Sequence, residues 1–269
     1  MTASKSIIEI YKEEQNSFLK HLRKAKDLEE SQVHKLRVDI KNLRVLAALL
    51  KIIAPKKRFS PKPLLLLLSP VFKKAGKIRT ATLNLKLIQH YKSPAMLTFK
   101  AHIKDQIKGA EVGLVKEIKS FKKKKLQALS KTHVSLFKKQ KAEKINQKIK
   151  LLFEDELVKV KSHLLEMNND ENLHSIRKEL KIIKNLASIL KKIAPENPIP
   201  ASIKKIESTY EKIGKWHDDT VLIEAIEKFV NSHNKIKPQL KTITALEKLK
   251  EKNHMDRLYI TKKLRAGLL

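Results

Sequence analysis

The chain has 269 residues, of which 41% are hydrophobic, and this excludes a wholly disordered polyelectrolyte. It carries 60 Lys and Arg against 28 Asp and Glu, a formal net charge of +32, and such an excess predicts an anionic partner. The chain contains no cysteine, which excludes disulfides and thiolate metal sites.

Helix-favouring residues dominate the sequence, with five glycines in all and apolar residues that recur at spacings of three and four. We therefore predict an all-α fold. In chain order the predicted helices cover residues 4–27, 31–54, 63–75, 77–91, 94–130, 138–168, 171–194, 201–213, 218–231 and 238–265, the last with a break near Asn253.

An internal repeat occurs at an offset of 140 residues, where segment 34–55 aligns without a gap with segment 174–195. Ten of the 22 aligned positions are identical, more than unrelated segments share by chance. The identical pairs are His34/His174, Arg37/Arg177, Lys41/Lys181, Leu46/Leu186, Ala47/Ala187, Leu50/Leu190, Lys51/Lys191, Ile53/Ile193, Ala54/Ala194 and Pro55/Pro195.

Each repeat copy is followed by a proline-bounded loop, residues 55–63 and 195–200, and then by a short segment that ends in Gly76 or Gly214. Because glycine readily adopts the left-handed conformation that ends a helix, each glycine is predicted to form a helix–turn–helix corner. The repeat as a whole predicts two helical halves, residues 1–130 and 131–269, with a boundary near Ser130.

Cations follow one face of each repeat helix at spacings of three, four and three, which places them within about 80° on a helical wheel. They are His34, Arg37, Lys41 and Arg44 in the first copy and His174, Arg177, Lys181 and Lys184 in the second. Apolar residues border the first stripe on both sides, so it is predicted to line a partly enclosed groove. The sector of Lys35, Asp39 and Asn42 is instead expected to face solvent.

Stacked like charges on one helix repel by roughly a few tenths of a kcal/mol per neighbouring pair, and burial increases the penalty. A bound anion would relieve it. The alternative is that the Lys and Arg stems cover apolar surface while their charged ends lie in water. The duplication favours a ligand surface, because the two copies agree at the cations and differ at several apolar positions.

The histidines and acids of these segments allow other chemistry as well. His34 and His174 each allow three interpretations, a core histidine, a metal ligand or a nucleophile, and hydrogen bonding to phosphate is favoured because neither has neighbouring ligands at metal spacing. The segment 216–219, Trp-His-Asp-Asp, has an enzyme-like composition, but Asp218 before an apolar helix is more typical of an N-terminal cap. No metal or cofactor is predicted.

The His-x-x-Arg-x-x-x-Lys motif that begins at His34 and again at His174, each followed by a further Arg or Lys and a glycine corner, resembles the CHAD family, the conserved histidine α-helical domain. The resemblance covers nearly the whole chain. The family corner usually has the pattern Gly-x-x-Arg-Asp, which Arg79 and Asp218 match and Thr80 and His217 do not.

The resemblance implies two four-helix bundles related by pseudo-two-fold symmetry, together one CHAD-like domain. Their basic helices would face a central groove that binds inorganic polyphosphate, and family members associate with polyphosphate granules. The predicted binding residues are His34, Arg37, Lys41, Arg44, Lys51, Arg79, His174, Arg177, Lys181, Lys184, Lys191 and His217.

The leading prediction is thus non-enzymatic binding of polyphosphate by a cytoplasmic protein at such granules, with no signal peptide and no membrane insertion. The alternative is a nucleic-acid-binding protein, which would need the same positive charge and would bind at low salt. The stripes, however, contain no aromatic residue for base stacking. A polyphosphate-metabolising enzyme is the third candidate, although the stripes lack the acids that such catalysis needs.

Overall fold

A computed structural model describes residues 6–54, 59–166, 170–193, 202–232 and 240–266. Within those ranges every regular element is helical, which confirms the all-α prediction. The helices are α1 (Ile7–Lys24), α2 (Glu30–Ile53), α3 (Lys62–Leu87), α4 (Pro94–Lys119), α5 (Lys123–Lys138), α6 (Ala142–Leu165), α7 (Asp170–Ile193), α8 (Ser202–Ser232) and α9 (Leu240–Arg265), with a short 3-10 turn, Ala25–Asp27, after α1.

Local capping and a left-handed residue define the α1–α2 hairpin. The Ser6 side chain accepts a hydrogen bond from the Glu9 backbone N–H while the Glu9 carboxylate accepts one from the Ser6 backbone N–H, so α1 begins with a capping box. The chain then reverses at Leu28, whose φ of 60° allows the direct return into α2. Leu36 and Leu43 on the inner face of α2 are fully buried.

Of the three residues expected to face solvent, Lys35 is exposed, but Asp39 and Asn42 are packed against α1. Asp39 is only 5% exposed and accepts hydrogen bonds from the Ser17 hydroxyl at 2.9 Å and from His21 Nδ1 at 2.6 Å. Asn42 donates to the Glu14 carboxylate. The expectation was wrong because polar residues on a helix are buried when a neighbouring helix supplies their partners.

The predicted corner at Gly76 is wrong, because α3 continues through it and also through Pro70. A glycine in a helix interior costs about 1 kcal/mol relative to alanine, which the burial of adjacent side chains outweighs. Ala75 and Ile78 on either side of the glycine are buried. The proline loops that precede α3 and α8 fall largely or wholly on residues 55–58 and 194–201, outside the described residues.

The corner at Gly214 is wrong for the same reason, since α8 is continuous and buries the neighbouring Ile213 and Trp216. Asp218 therefore lies inside a helix and does not cap one. Helix α9 is also unbroken at Asn253, whose side-chain amide donates to the Trp216 carbonyl at 2.9 Å and so serves to join α9 to α8.

The predicted helix over residues 94–130 is divided into α4 and α5, with a turn at residues 120–122. The turn allows the Phe121 ring to pack against Phe18, with 5.3 Å between the ring centroids. Apolar packing on another helix thus ends a periodic pattern that the local sequence would continue.

The backbone forms two compact units, each built from three segments. Unit 1 comprises Met1–Arg79, Gly109–Glu156 and Ile182–Pro200, and unit 2 comprises Thr80–Lys108, Leu157–Lys181 and Ala201–Leu269. Phe99 and Phe229 lie in the core of unit 2, with 5.2 Å between their ring centroids. The division into halves 1–130 and 131–269, and the symmetry between them, stay predictions from the repeat.

None of the helices in the described ranges has both the length and the apolar character that crossing a bilayer requires.

Candidate anion-binding site

Five basic residues of unit 1 form what we call the first cation set: His34, Arg37, Lys41 and Arg44 on α2 and Arg79 on α3. The spacing on α2 places four of them on one helix face, as the sequence predicted. Arg79 lies close enough for its charge to act on both His34 and Arg37. The structure therefore brings a residue from the next helix to the predicted stripe.

Arg37 is the most constrained member of the first cation set. Its Nη1 donates a hydrogen bond to the backbone carbonyl of Phe72 on α3 at 3.1 Å, and its guanidinium carbon lies 4.6 Å from the Phe72 ring centroid. The guanidinium of Arg44 contacts the same ring, at 5.1 Å. Phe72 thus contacts two cations of the stripe at distances typical of cation–π interactions.

Burial and like charge both act on Arg37 and His34. Burial, followed by the charge of Arg79, lowers the pKa of Arg37 to about 10, so the side chain stays cationic at neutral pH while its charged form is penalised. The pKa of His34 is lowered by burial first and then by Lys41, Arg79 and Arg37, with Glu30 opposing the shift. Without an anion, His34 is therefore neutral at pH 7.

The second cation set lies in unit 2 and consists of His174, Arg177 and Lys181 on α7 and His217 on α8. The rings of His174 and His217 have their centroids 5.0 Å apart. Burial, then Arg177 and His174, lowers the pKa of His217 to about 4, and the pKa of His174 is lowered by burial, Lys178 and Arg177. Both histidines are neutral at pH 7.

An aromatic ring lies beneath the arginine in this set too. The Arg177 guanidinium carbon is 5.5 Å from the Tyr210 ring centroid. Tyr210 follows Phe72 by 138 residues, the same offset that relates Gly214 to Gly76. The sequence reasoning missed both rings, although extending the alignment by four residues before each glycine would have matched them.

The two arginines share a further feature at the same atom. Among the described residues, the buried Nε atoms of both Arg37 and Arg177 have no hydrogen-bond acceptor. A buried donor without an acceptor is destabilising by about 1–3 kcal/mol. Retention of such an arrangement in both repeat copies is typical of residues that serve a ligand and not the stability of the fold.

Three predicted residues lie farther along the same helices. Lys51 and Lys191 are exposed near the carboxyl ends of α2 and α7, and Lys184 is half-buried on α7. Their part in binding stays a prediction from the repeat.

The two acids at the end of the Trp-His-Asp-Asp segment have other surroundings than a metal site within the described residues. Asp219 is buried and accepts a hydrogen bond from Lys252 Nζ at 2.7 Å, which raises the pKa of that lysine and ties α9 to α8. Asp218 is half-buried on α8. No group of three or more His, Asp or Glu side chains suited to a metal ion occurs in the part of the chain that the structure describes.

A histidine–carboxylate pair supports each basic helix from another helix. His21 on α1 lies 2.6 Å from Asp39 on α2, and His163 on α6 lies 3.0 Å from Glu179 on α7. Asp39 and Glu179 are equivalent in the 140-residue repeat. Each acid is two residues from the nearest stripe positions, so these pairs hold the helix face opposite the cation stripe, and the sequence pattern did not identify them.

Three comparisons with known proteins bear on this arrangement. A family model described as the CHAD domain matches residues 10–227 of the chain. The crystal structure of the CHAD domain from the plant Ricinus communis is similar with a TM-score of 0.73 and 15% sequence identity, over 100% of this chain and 93% of that chain. At this identity the similarity concerns the fold. The curated proteins contain no match to the chain.

Proposed function

Because the chain belongs to the CHAD domain family, we propose that it binds inorganic polyphosphate through the two cation sets and does not turn it over. Cytoplasmic polyphosphate granules are the place where we propose that it acts. The observation that supports this proposal most directly is the first cation set: Arg37, Arg44 and Arg79 lie together, and no described carboxylate forms an ion pair with any of them.

The proposed mechanism is multivalent charge-assisted hydrogen bonding. Arginine forks suit the paired oxygens of phosphate, and lysine adds a point charge. Each phosphate that is neutralised releases condensed counterions. By analogy with nucleic acids, six to ten contacts would reduce affinity by about 10³–10⁵ between 50 and 200 mM salt.

Nucleic acid would satisfy the same charges, but the aromatic rings argue against it. Base stacking needs rings that are free to receive a base. Phe72 and Tyr210 are half-buried and already contact guanidinium groups. We therefore expect single-stranded DNA of equal phosphate content to displace polyphosphate only weakly in a competition experiment at physiological salt.

The proposal is tested by calorimetric titration of long-chain polyphosphate into the wild type and into Arg37→Glu plus Arg177→Glu. We expect the dissociation constant of the double variant to rise by about 100-fold or more, since two charge-assisted contacts become repulsive. The matched control is Lys123→Glu plus Lys124→Glu on α5, which changes the net charge equally at exposed positions outside both sets.

Two results would count against the proposal. Equal losses in the charge reversal and in its control would mean that binding follows total charge and not the two sets. Release of inorganic phosphate from polyphosphate with magnesium or manganese present would make the protein an enzyme.

A further inference from the structure

Gly76 lies directly beneath the guanidinium of Arg37. A Cβ atom placed on Gly76 would come within 2.6 Å of Arg37 Nη1, closer than any side chain tolerates. The carbonyl that Arg37 binds belongs to Phe72, one turn earlier on the same helix. The missing side chain of Gly76 therefore makes the space in which Nη1 reaches the helix backbone.

Phe72 completes this space. Its ring lies 4.6 Å from the guanidinium carbon of Arg37, so one group is fixed by a backbone carbonyl, an aromatic ring and a glycine surface together. We call Phe72 and Gly76 the arginine seat. A guanidinium held in this way loses little conformational freedom when it binds an anion.

Among the residues that the structure describes, the arginine seat is found in the first repeat copy. Gly214 is equivalent to Gly76, but a Cβ placed on it would meet no atom within 4 Å beyond its own chain neighbours and helix backbone. Among the described contacts of Arg177, the Tyr210 ring is present and a backbone carbonyl acceptor is not. The same glycine thus has a packing role on α3 that it does not have on α8.

We propose that Gly76 and Phe72 are positioning residues, which pre-organise Arg37 of the first cation set as the fixed anchor for the phosphate chain. This inference rests on the proposed function. It adds that the two copies hold their arginines differently. Arg37 is held by a backbone carbonyl and a ring, whereas Arg177 contacts a ring and is less restrained.

The test compares Gly76→Ala with Gly214→Ala. Alanine favours a helix over glycine, so neither variant should unfold at a lower temperature than the wild type. Because Arg37 Nη1 is the end of a flexible side chain, it can move away from the new methyl group, and the fold is kept. We expect the dissociation constant for long-chain polyphosphate to rise about fivefold in Gly76→Ala and to stay unchanged in Gly214→Ala.

A double variant distinguishes an effect of Gly76 through Arg37 from a general effect of Gly76 on the structure. If Gly76 acts through Arg37, adding Gly76→Ala to Arg37→Ala should cause no further loss of affinity. A readout without ligand is the side-chain Nε–H signal of Arg37 in nitrogen-15 NMR, whose hydrogen should exchange with water faster in Gly76→Ala than in the wild type.

The results of these titrations distinguish a failure of the proposed function from a failure of the arginine seat. A wild type that does not bind polyphosphate overturns the proposed function and, with it, the ligand role of the seat. A wild type that binds, together with equal affinity in Gly76→Ala, overturns the seat alone. An additive loss in the Arg37→Ala background also overturns it, because the glycine would then act through another group.

Discussion

The two cation sets share a pattern and differ in the group that the second helix contributes. In the first set Arg79 of α3 lies near His34, whereas in the second set His217 of α8 lies 5.0 Å, ring to ring, from His174. Arg79 and His217 are equivalent at the 138-residue offset. One copy thus contains a permanent charge at the position where the other contains a titratable one.

This difference changes which residues carry charge at neutral pH. The first set holds its arginines on Phe72 and remains charged at any physiological pH. The second set includes two histidines that are neutral at pH 7 and that gain charge only when an anion or a lower pH favours it. The two copies thus share an arginine over an aromatic ring and differ in their titratable groups.

The largest expected effect is an unequal response to the loss of the two arginines. Arg37→Ala should weaken binding of polyphosphate by about 30-fold at pH 7.5, as expected for a fixed charge-assisted contact. Arg177→Ala should weaken it by about fivefold, since the freer arginine loses more entropy on binding. Calorimetric titration of both variants with polyphosphate measures the ratio of their dissociation constants.

Equal losses of affinity in the two variants would contradict the proposed difference between the sets. A greater loss of affinity in Arg177→Ala would contradict it as well. Thermal unfolding serves as the control, because removal of a half-buried arginine also relieves a desolvation penalty and should not lower the stability of either variant.

The second prediction concerns pH. Burial and neighbouring cations lower the pKa of His217 to about 4 in the free protein and also lower that of His174. A bound phosphate chain would offset the charge of Arg177 and accept a hydrogen bond from each ring, which raises both pKa values. The complex then binds more protons than the free protein, so affinity should increase as pH falls, by about tenfold from pH 7.5 to 5.5.

His174→Gln plus His217→Gln should flatten this pH profile, and His34→Gln should change it less. Proton uptake, seen as a dependence of the calorimetric enthalpy on buffer ionisation, should accompany binding by the wild type and diminish in the double variant. A pH profile that is equally steep in that variant would assign the effect to other groups.

Acid also affects the fold, and unfolding must be followed at each pH. Burial lowers the pKa of His133 to about 4, where its Nδ1 lies 2.7 Å from the Tyr11 hydroxyl. The unfolded chain takes up a proton near pH 6.5 that the folded protein resists. Stability from this residue is therefore complete above pH 6.5 and is lost as pH falls towards 4.

The helical class and the grouping of residues in each stripe could be predicted, because they depend on helix periodicity and not on tertiary packing. Spacings of three and four fix which residues share a helix face, so His34, Arg37, Lys41 and Arg44 were grouped correctly without tertiary information. The all-α class followed in the same way from composition and periodicity.

The predictions were wrong or incomplete where contacts with another helix determine the role of a residue. Gly76 has the local character of a helix end, but its actual role depends on Arg37 of another helix. The partners of Asp39 and Glu179 were missed for a related reason. His21 and His163 are 142 residues apart while the acids are 140 apart, so a single gapless offset does not align both members of the pair.

The smallest effect, and the sharpest for the comparison, concerns the two rings. The Arg37 guanidinium carbon lies 4.6 Å from the Phe72 ring centroid and that of Arg177 lies 5.5 Å from the Tyr210 ring centroid, so Phe72→Leu should weaken polyphosphate binding by about fivefold and Tyr210→Leu by about twofold. Phe72→Tyr keeps the aromatic face and should bind like the wild type. Titration of the three variants with thermal unfolding alongside measures the difference, and equal losses for the two leucine variants would mean that neither ring distinguishes one copy from the other.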